Sequence, residues 1–174
     1  AAAGPENATA IAHVMCTTNM AAACGGTAVL FLTWICYGKP SLSLVCNGIL
    51  AGLVGITAGC DMVSIGGPAI IGTVCGCVMV GSVALIDKVL RIDDPVGAVS
   101  VHGVCGFLGT VMTGLFALDG GLFYGGGVKL LGLQLLGFVT VAAWTVVTMV
   151  IVFFAIKAIF GLRASKEEEI KGLD

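Results

Sequence analysis

Long apolar runs, separated by short polar stretches, recur along this chain and limit what it can fold into. We place five of them at residues 8–37, 42–59, 69–90, 97–118 and 130–160. A helix of about 20 apolar residues is long enough to cross the hydrocarbon core of a bilayer. A helix also satisfies its own backbone hydrogen-bonding groups, as lipid requires. The sequence therefore predicts an all-α membrane protein, a polytopic bundle with five transmembrane spans.

Composition favours lipid over water as the solvent of these helices. Charged residues make up 10% of the chain and hydrophobic residues 58%, whereas soluble domains contain about 25% charged residues. A soluble domain of 174 residues could not bury that much apolar surface. We expect residues 1–162 to form the transmembrane region and residues 163–174 to begin a cytoplasmic tail, with membrane lipid as a partner and no nucleic acid.

The basic residues predict the orientation, because Lys and Arg in short loops collect on the cytoplasmic side. Five spans that end at a cytoplasmic C-terminus leave Lys129 outside and the other Lys and Arg residues inside. The N-terminus is then external. The chain opens on residues 1–5 without Met and without the basic segment of a signal peptide. We read it as a fragment, a processed product or an incomplete chain.

Small residues repeat at helical spacing in two of the spans. The second span has Gly48, Gly52, Gly55 and Gly59, and the fourth has Gly106, Gly109, Thr110 and Thr113. Residues three or four apart lie on one helical face, and small residues there let a neighbouring backbone approach closely. The pattern predicts tight packing between helices.

Eight cysteines invite a redox or metal interpretation, with Cys75 and Cys77 as the closest pair. Zinc sites use other spacings and companion ligands, and nearly all of these thiols lie inside spans. Free cysteine packs as a small apolar residue when it is buried. We expect packing cysteines, no metal site and no cofactor. Cys60, beside Asp61 on the predicted outer side, is the one candidate for a disulfide with an external partner.

His102 is the strongest functional signal in the chain. It lies in the middle of the apolar fourth span. An ionisable group at membrane depth is costly unless it faces a polar partner or a cavity, so it marks a functional site by default. Ala98 lies one turn earlier on the same helical face and is a candidate lining residue. The pattern predicts a transport path beside His102.

Other polar residues near the spans have structural explanations. Asp94 can cap the fourth span, with Pro95 in its first turn, and the pair Asp93 and Asp94 could also hold the tail or a neighbouring helix through Lys or Arg. Asn19 and Asn47 lie inside spans and need hydrogen-bond partners. Bonds between helices are the simpler expectation for both.

Four stretches together resemble one family. They are residues 93–106 around His102, residues 18–23, residues 38–41 leading to residues 51–57, and the tail from residues 161–163 to 172–174. In their order along the chain they resemble the ammonium transporters of the Amt/Mep/Rh group over almost the whole chain. The resemblance implies eleven transmembrane helices in two inverted five-helix halves, of which this chain corresponds to the last five.

The resemblance also implies roles for single residues. His102 would be the second of two hydrogen-bonded pore histidines, and Asn47 and Thr57 would border the path. The partner histidine, the external aromatic cage and the phenylalanine gate would belong to the other helices. His13 corresponds to no pore histidine and is expected to be an interfacial or packing residue. The protein would be a transporter rather than an enzyme, with no catalytic residues.

For the whole protein, the resemblance implies passage of ammonium as ammonia across the cell membrane. Ammonia is neutral, whereas an intact ammonium ion has a large desolvation cost in an apolar path. Family members form homotrimers, and PII signalling proteins regulate some of them through the tail. Two alternatives remain: a membrane ammonium sensor of the same fold, and a split or partner subunit that does not conduct alone.

Overall fold

The computed structural model describes residues 7–172. The α-helices in chain order are α1 (Ala8–Tyr37), α2 (Leu42–Ile56), α3 (Gly67–Ala84), α4 (Cys105–Phe116), α5 (Lys129–Ile159) and α6 (Lys166–Lys171). A π-helical segment, Leu85–Leu90, extends α3, and a second, Val99–Val104, leads into α4. Within the described residues there is no strand, and the one isolated β-bridge joins Val63 to Ala117. The predicted all-α fold is confirmed.

Four helical stretches are long and apolar enough to cross a membrane: Ala8–Tyr37, Gly67–Leu90, Val99–Phe116 and Lys129–Ile159. Their bounds lie within three residues of the predicted spans. The second helix, α2, is shorter and ends at Ile56, three residues before the predicted end. Its 15 residues extend about 22 Å, less than the roughly 30 Å of the hydrocarbon core. The five-span topology stays a prediction.

The chain divides into two compact units, Ala1–Leu136 and Gly137–Asp174. The described part of the first unit contains α1 to α4 and the start of α5. The described part of the second contains the rest of α5 and α6.

Glycines bring α1, α2 and α3 of the first unit into backbone contact. A Cβ on Gly52 of α2 or on Gly72 of α3 would collide with the carbonyl oxygen of Ala21 in α1. A Cβ on Gly48 would lie 2.6 Å from the Cγ2 atom of Val29. Only residues without a side chain fit at these crossings, so the predicted glycine packing of α2 is confirmed.

The glycine face of α2, with the turn that follows it, also contacts α4. A Cβ on Gly109 would collide with the backbone of Gly55, and a Cβ on Gly59 would lie 2.7 Å from the Thr113 hydroxyl. Gly106 differs, because the nearest atom to its Cβ position is a Val54 methyl at 3.8 Å, an ordinary contact. Close packing on α4 is therefore confirmed at Gly109 and Thr113 and is wrong at Gly106.

The second unit ends in a short capped helix. The Ser165 hydroxyl accepts a hydrogen bond from the Glu168 backbone N–H, and the Glu168 carboxylate accepts one from the Ser165 N–H at 2.8 Å. This reciprocal arrangement is a capping box. Arg163 pairs with Glu169 at 2.7 Å. The predicted tail runs to residue 174, and its last two residues lie outside the described part of the chain.

Candidate functional site

His102 lies on the exposed side of a helical segment whose opposite side is buried. Ser100, Val101 and Cys105 are 0–2% exposed. The exposed residues of this segment are Ala98, Val99, His102, Gly103 and Phe107, which we call the histidine face. The buried side packs on α2 and α3. The histidine face is therefore apolar except for its one imidazole.

Hydrogen bonds from the buried side attach this segment to α3. The Ser100 hydroxyl donates to the Ser82 hydroxyl at 3.0 Å, and both residues are buried. One turn later, the Cys105 thiol donates to the Cys75 carbonyl oxygen at 3.4 Å. These bonds fix the rotation of the segment about its axis, and hence the direction in which the histidine face points.

Asp94 caps the start of the segment. Its carboxylate accepts hydrogen bonds from the Ala98 N–H at 2.8 Å and from the Val99 N–H at 3.1 Å. Both donors belong to the first turn, which has no carbonyl partners of its own. Pro95 was expected inside the first turn of the helix. It lies instead in the turn that precedes the helix, because Gly97, with φ +70°, reverses the chain after it.

Asn47 attaches the same loop to α2. Its side-chain N–H donates to the Val96 carbonyl oxygen at 3.0 Å. A Cβ on Gly97 would approach the Asn47 amide nitrogen to 3.0 Å. The expected bond between helices is therefore replaced by a bond from α2 to the loop that leads into the His102 segment, because Val96 lies in the turn before that segment.

Thr57 and Asn47 lie at different heights beside the histidine segment. Asn47 is next to Val96 and Gly55 is next to Gly109, so α2 and the segment run in the same direction and His102 lies between those levels. Thr57 is ten residues beyond Asn47, about 15 Å along the helix. Its hydroxyl donates to the Leu53 carbonyl oxygen of its own helix at 2.7 Å. The structure places Ala98 on the same face as His102 and Thr57 at the C-terminal end of α2.

Asn19 and His13 make different contacts from one another. The Asn19 amide donates to the Met15 carbonyl oxygen of its own helix at 2.8 Å, so the expected bond between helices is wrong, because this exposed side chain finds its partner one turn earlier. His13 is half-buried, and its Nε2 atom lies 3.0 Å from the Val63 carbonyl oxygen. It contacts a loop, as a packing histidine does.

Asp93 and Asp94 could also hold the tail or a neighbouring helix through Lys or Arg, and this second role stays a prediction. Asp94 is occupied by its capping bonds, and Asp93 is exposed. All eight cysteines are free thiols, and residues 7–172 contain no group of three or more His, Cys, Asp or Glu residues that could hold a metal.

Sequence reasoning missed the serine pair. Ser82 and Ser100 lie in two different apolar spans, and each leaves a hydroxyl that needs a partner in lipid. That signal was present in the sequence, but which two spans meet is decided by the fold.

The comparisons with known proteins identify the family of the chain. The model of the Ammonium Transporter Family matches residues 1–174. The chain belongs to the ammonium transporter family. Over 95% of this chain, the sequence is 36% identical to Ammonium transporter 1 member 1 of Arabidopsis thaliana. Over 94% of this chain, it is 36% identical to Ammonium transporter Amt2 of Archaeoglobus fulgidus. The matches cover 36% and 37% of those relatives.

Solved structures of the ammonium transporter family share the fold. A structure described as Sensor Amt Protein matches with a TM-score of 0.87 and 35% identity, over 95% of this chain and 41% of that one. Mep2 of Saccharomyces cerevisiae matches with a TM-score of 0.83 and 34% identity, over 91% of this chain and 38% of that one. The chain thus spans a little over a third of these relatives. It is an integral membrane protein whose curated relatives are named transporters, not enzymes.

Proposed function

We propose that the protein carries ammonium, as ammonia, across the membrane along a path that passes His102, and that this chain supplies the C-terminal half of the path. One observation carries the proposal. The histidine face is exposed in this chain, while its segment is fixed from the other sides by Ser82, Asn47 and Asp94. A segment held this firmly presents its imidazole in one direction.

The partners of the imidazole must come from elsewhere. The long-range hydrogen bonds of the segment start at Ser100 and Cys105, and within the described residues none involves His102, although an imidazole at membrane depth needs a polar partner. The other half of a transporter would cover the histidine face and provide that partner. A second imidazole, as the family resemblance implies, fits this requirement.

The chemistry of the face suits a small neutral molecule. A neutral imidazole offers one donor and one acceptor, which is enough for ammonia. The neighbouring Ala98 and Gly103 leave room for a narrow path and offer nothing to replace the hydration shell of an ion. Asn47 would border the path from the loop side, and Thr57 would border it about 15 Å further along α2.

Orientation and partners belong to the same proposal. The distribution of Lys and Arg supports a cytoplasmic C-terminus in the cell membrane. We propose that the full-length subunits form a homotrimer, and that the charged tail with its capped α6 is the contact point for a PII signalling protein. Asp93, exposed on the loop before the histidine segment, would face the same cytoplasmic side.

Uptake of labelled methylammonium by the full-length protein, in cells without other ammonium transporters, tests the proposal. His102→Ala is expected to lower the rate at least tenfold at unchanged membrane abundance. Cys36→Ala, an exposed change at the end of α1, is the control and should transport as wild type does. Wild-type uptake by His102→Ala would contradict the pathway through His102.

A sensor is the second candidate, because one matching structure is described as Sensor Amt Protein. A sensor would bind ammonium without carrying it. Wild-type protein that binds ammonium in calorimetry but gives no uptake above empty cells would favour the sensor. Measurable uptake that saturates with substrate would favour the transporter.

A further inference from the structure

An apolar groove runs along the last turns of α5, within the second unit. Six residues of the helix line it: Val146, Met149, Val150, Phe153, Phe154 and Lys157. Their spacing of three or four places them on one helical face. Leu162 closes the groove from the segment after the helix, where Gly161, with φ +79°, turns the chain. The volume is about 430 Å³, and we call this cavity the α5 groove.

The helix that carries the groove is uncovered in the described part of the chain. None of its described residues is buried, and it is long and apolar enough to cross a membrane. Its 31 residues extend about 46 Å, against roughly 30 Å for the hydrocarbon core. The helix is therefore long enough for its last turn, which contains Lys157, to lie among the lipid headgroups.

The α5 groove has the length of one lipid leaflet. Positions 146 and 157 are separated by about 16 Å along the helix axis, and one leaflet contributes about half of the roughly 30 Å hydrocarbon core. An acyl chain that lay in the groove with its headgroup at Lys157 would end close to the bilayer midplane.

The side chains of the groove differ from those at the helix crossings of the first unit. There, glycines let α1, α2 and α3 approach to backbone contact, as small residues do wherever membrane helices pack on one another. The described lining of the α5 groove contains no Gly, Ala, Ser or Thr. Large, flexible or aromatic side chains around an open channel suit an acyl chain better than a second helix.

Lys157 gives the α5 groove its charge. Its side chain is exposed, and within the described residues no hydrogen bond or ion pair involves its ammonium group. None of the described lining residues is acidic. A lysine at the end of a membrane helix lays its methylene stem along apolar surface and holds its charge among the headgroups. The anion available at that depth is the phosphate of a lipid.

We propose that the α5 groove binds one anionic glycerophospholipid, with an acyl chain along the face from Phe154 to Val146 and the phosphate on the Lys157 ammonium group. A zwitterionic lipid brings a positive group to the same lysine and should bind more weakly. Anionic lipids are concentrated in the cytoplasmic leaflet, which agrees with the proposed cytoplasmic C-terminus. The bound lipid would hold Leu162, and with it the start of the tail, against the end of α5.

Native mass spectrometry of the full-length protein in detergent tests the proposal, with phosphatidylglycerol and phosphatidylcholine of identical acyl chains titrated separately. We expect wild type to bind its first phosphatidylglycerol more tightly than its first phosphatidylcholine. Lys157→Gln should weaken the first phosphatidylglycerol about fivefold, because it removes one basic residue from the membrane surface, and should leave phosphatidylcholine unchanged. Lys157→Arg keeps the charge and should bind both lipids as wild type does.

The same helix supplies matched controls. Lys129→Gln removes a lysine at the first residue of α5 and should bind phosphatidylglycerol as wild type does. Val150→Trp fills the groove and should weaken both lipids, whereas Val152→Trp adds the same side chain at an exposed position outside the lining and should weaken neither.

Two results would overturn the proposal. One is equal phosphatidylglycerol affinity in wild type and Lys157→Gln, and the other is an equal effect of the two tryptophan variants. Either would mean that lipid binds elsewhere or that another part of the protein covers the α5 groove. The measurement involves no transport, so its outcome is independent of the proposed function.

Discussion

Ser100 and Ser82 meet hydroxyl to hydroxyl at 3.0 Å, between the histidine segment and the end of α3. Ser100 is fully buried and Ser82 is 9% exposed. The pair stands two residues from His102 on the opposite side of its segment. A polar contact inside an apolar bundle is specific, because any rotation of the segment would leave two hydroxyls without partners.

Replacing one serine with alanine should lower the free energy of unfolding more than replacing both. Ser100→Ala leaves the Ser82 hydroxyl buried and unpaired, and we expect a loss of about 1–3 kcal/mol in the free energy of unfolding. The double change Ser82→Ala with Ser100→Ala should recover part of that loss. Thermal unfolding in detergent measures it, with Ser43→Ala, an exposed serine of α2, as control. Equal losses for the single and double variants would show that the pair is not coupled.

Replacing glycine by alanine in α3 should be tolerated at position 81 and should destabilise the protein at position 72. Gly72→Ala places a methyl group against the Ala21 carbonyl, whereas the Cβ position of Gly81 has no atom within 4 Å. We expect Gly72→Ala to lose about 2 kcal/mol or more through overpacking. Gly81→Ala should be neutral or gain up to about 1 kcal/mol from the lower entropy of the unfolded chain. Melting temperatures of the two proteins in one detergent decide between these outcomes.

The cap on the histidine segment should affect both stability and transport. Asp94→Ala removes the acceptor for the Ala98 and Val99 N–H groups, and such caps are worth about 0.5–2 kcal/mol. Because the segment carries His102, the uptake rate should fall as well. Asp93→Ala changes an exposed acid without a capping bond and should match wild type in unfolding. A larger loss of stability in Asp93→Ala than in Asp94→Ala would contradict the assignment of the cap.

The helix of the tail should melt in acid. Hydrogen bonds from Ser165 hold the pKa of Glu168 below its ordinary value, and the hydrogen bond and charge of Arg163 do the same for Glu169. A lowered pKa in the folded helix means that these carboxylates stabilise it above the ordinary value of 4.5. That stability is lost as pH falls below 4.5 through the lowered pKa.

Carbon chemical shifts of residues 166–171, followed from pH 7 to pH 3 in labelled protein, measure this transition. Ser165→Ala should reduce helicity already at pH 7, because it removes the capping hydroxyl. Glu167→Gln changes an acid outside the capping box and should keep most of the wild-type pH dependence. Helicity that stays constant across this range would contradict the role of the carboxylates.

Several features could be predicted from local sequence because their causes are local. The bounds of α1 follow from one long, mainly apolar run without Asp, Glu, Lys or Arg that ends before Gly38, whose φ of +72° stops the helix. The capping bonds of Asp94 follow from an acid placed four residues before the first helical residue, Ala98, within reach of its N–H. The family could be recognised from four short motifs in the right order.

Other features depend on which helices meet. The sequence gives Asn19 and Asn47 the same expectation, a bond between helices. In the structure Asn19 bonds its own helix, and Asn47 bonds a loop residue 49 positions away. Likewise, the sequence analysis predicts that Thr57 and Ala98 both border the path, and the structure places only Ala98 on the histidine face. The spacing of residues in the sequence predicts on which face of its own helix a residue lies. It does not predict which other segment packs against that face.

The sequence by itself determined the membrane solvent, the helices and the place of His102 within an apolar span, because apolar length and the position of an ionisable residue are properties of a single segment. Tertiary structure alone decided the pairing of Ser82 with Ser100, the carbonyl of Ala21 as the crossing point of three helices, and the meeting of His13 with the loop at Asp61 and Val63. Each of these needs two segments distant in sequence to lie within a few ångströms, and only the packing of the whole bundle brings them there.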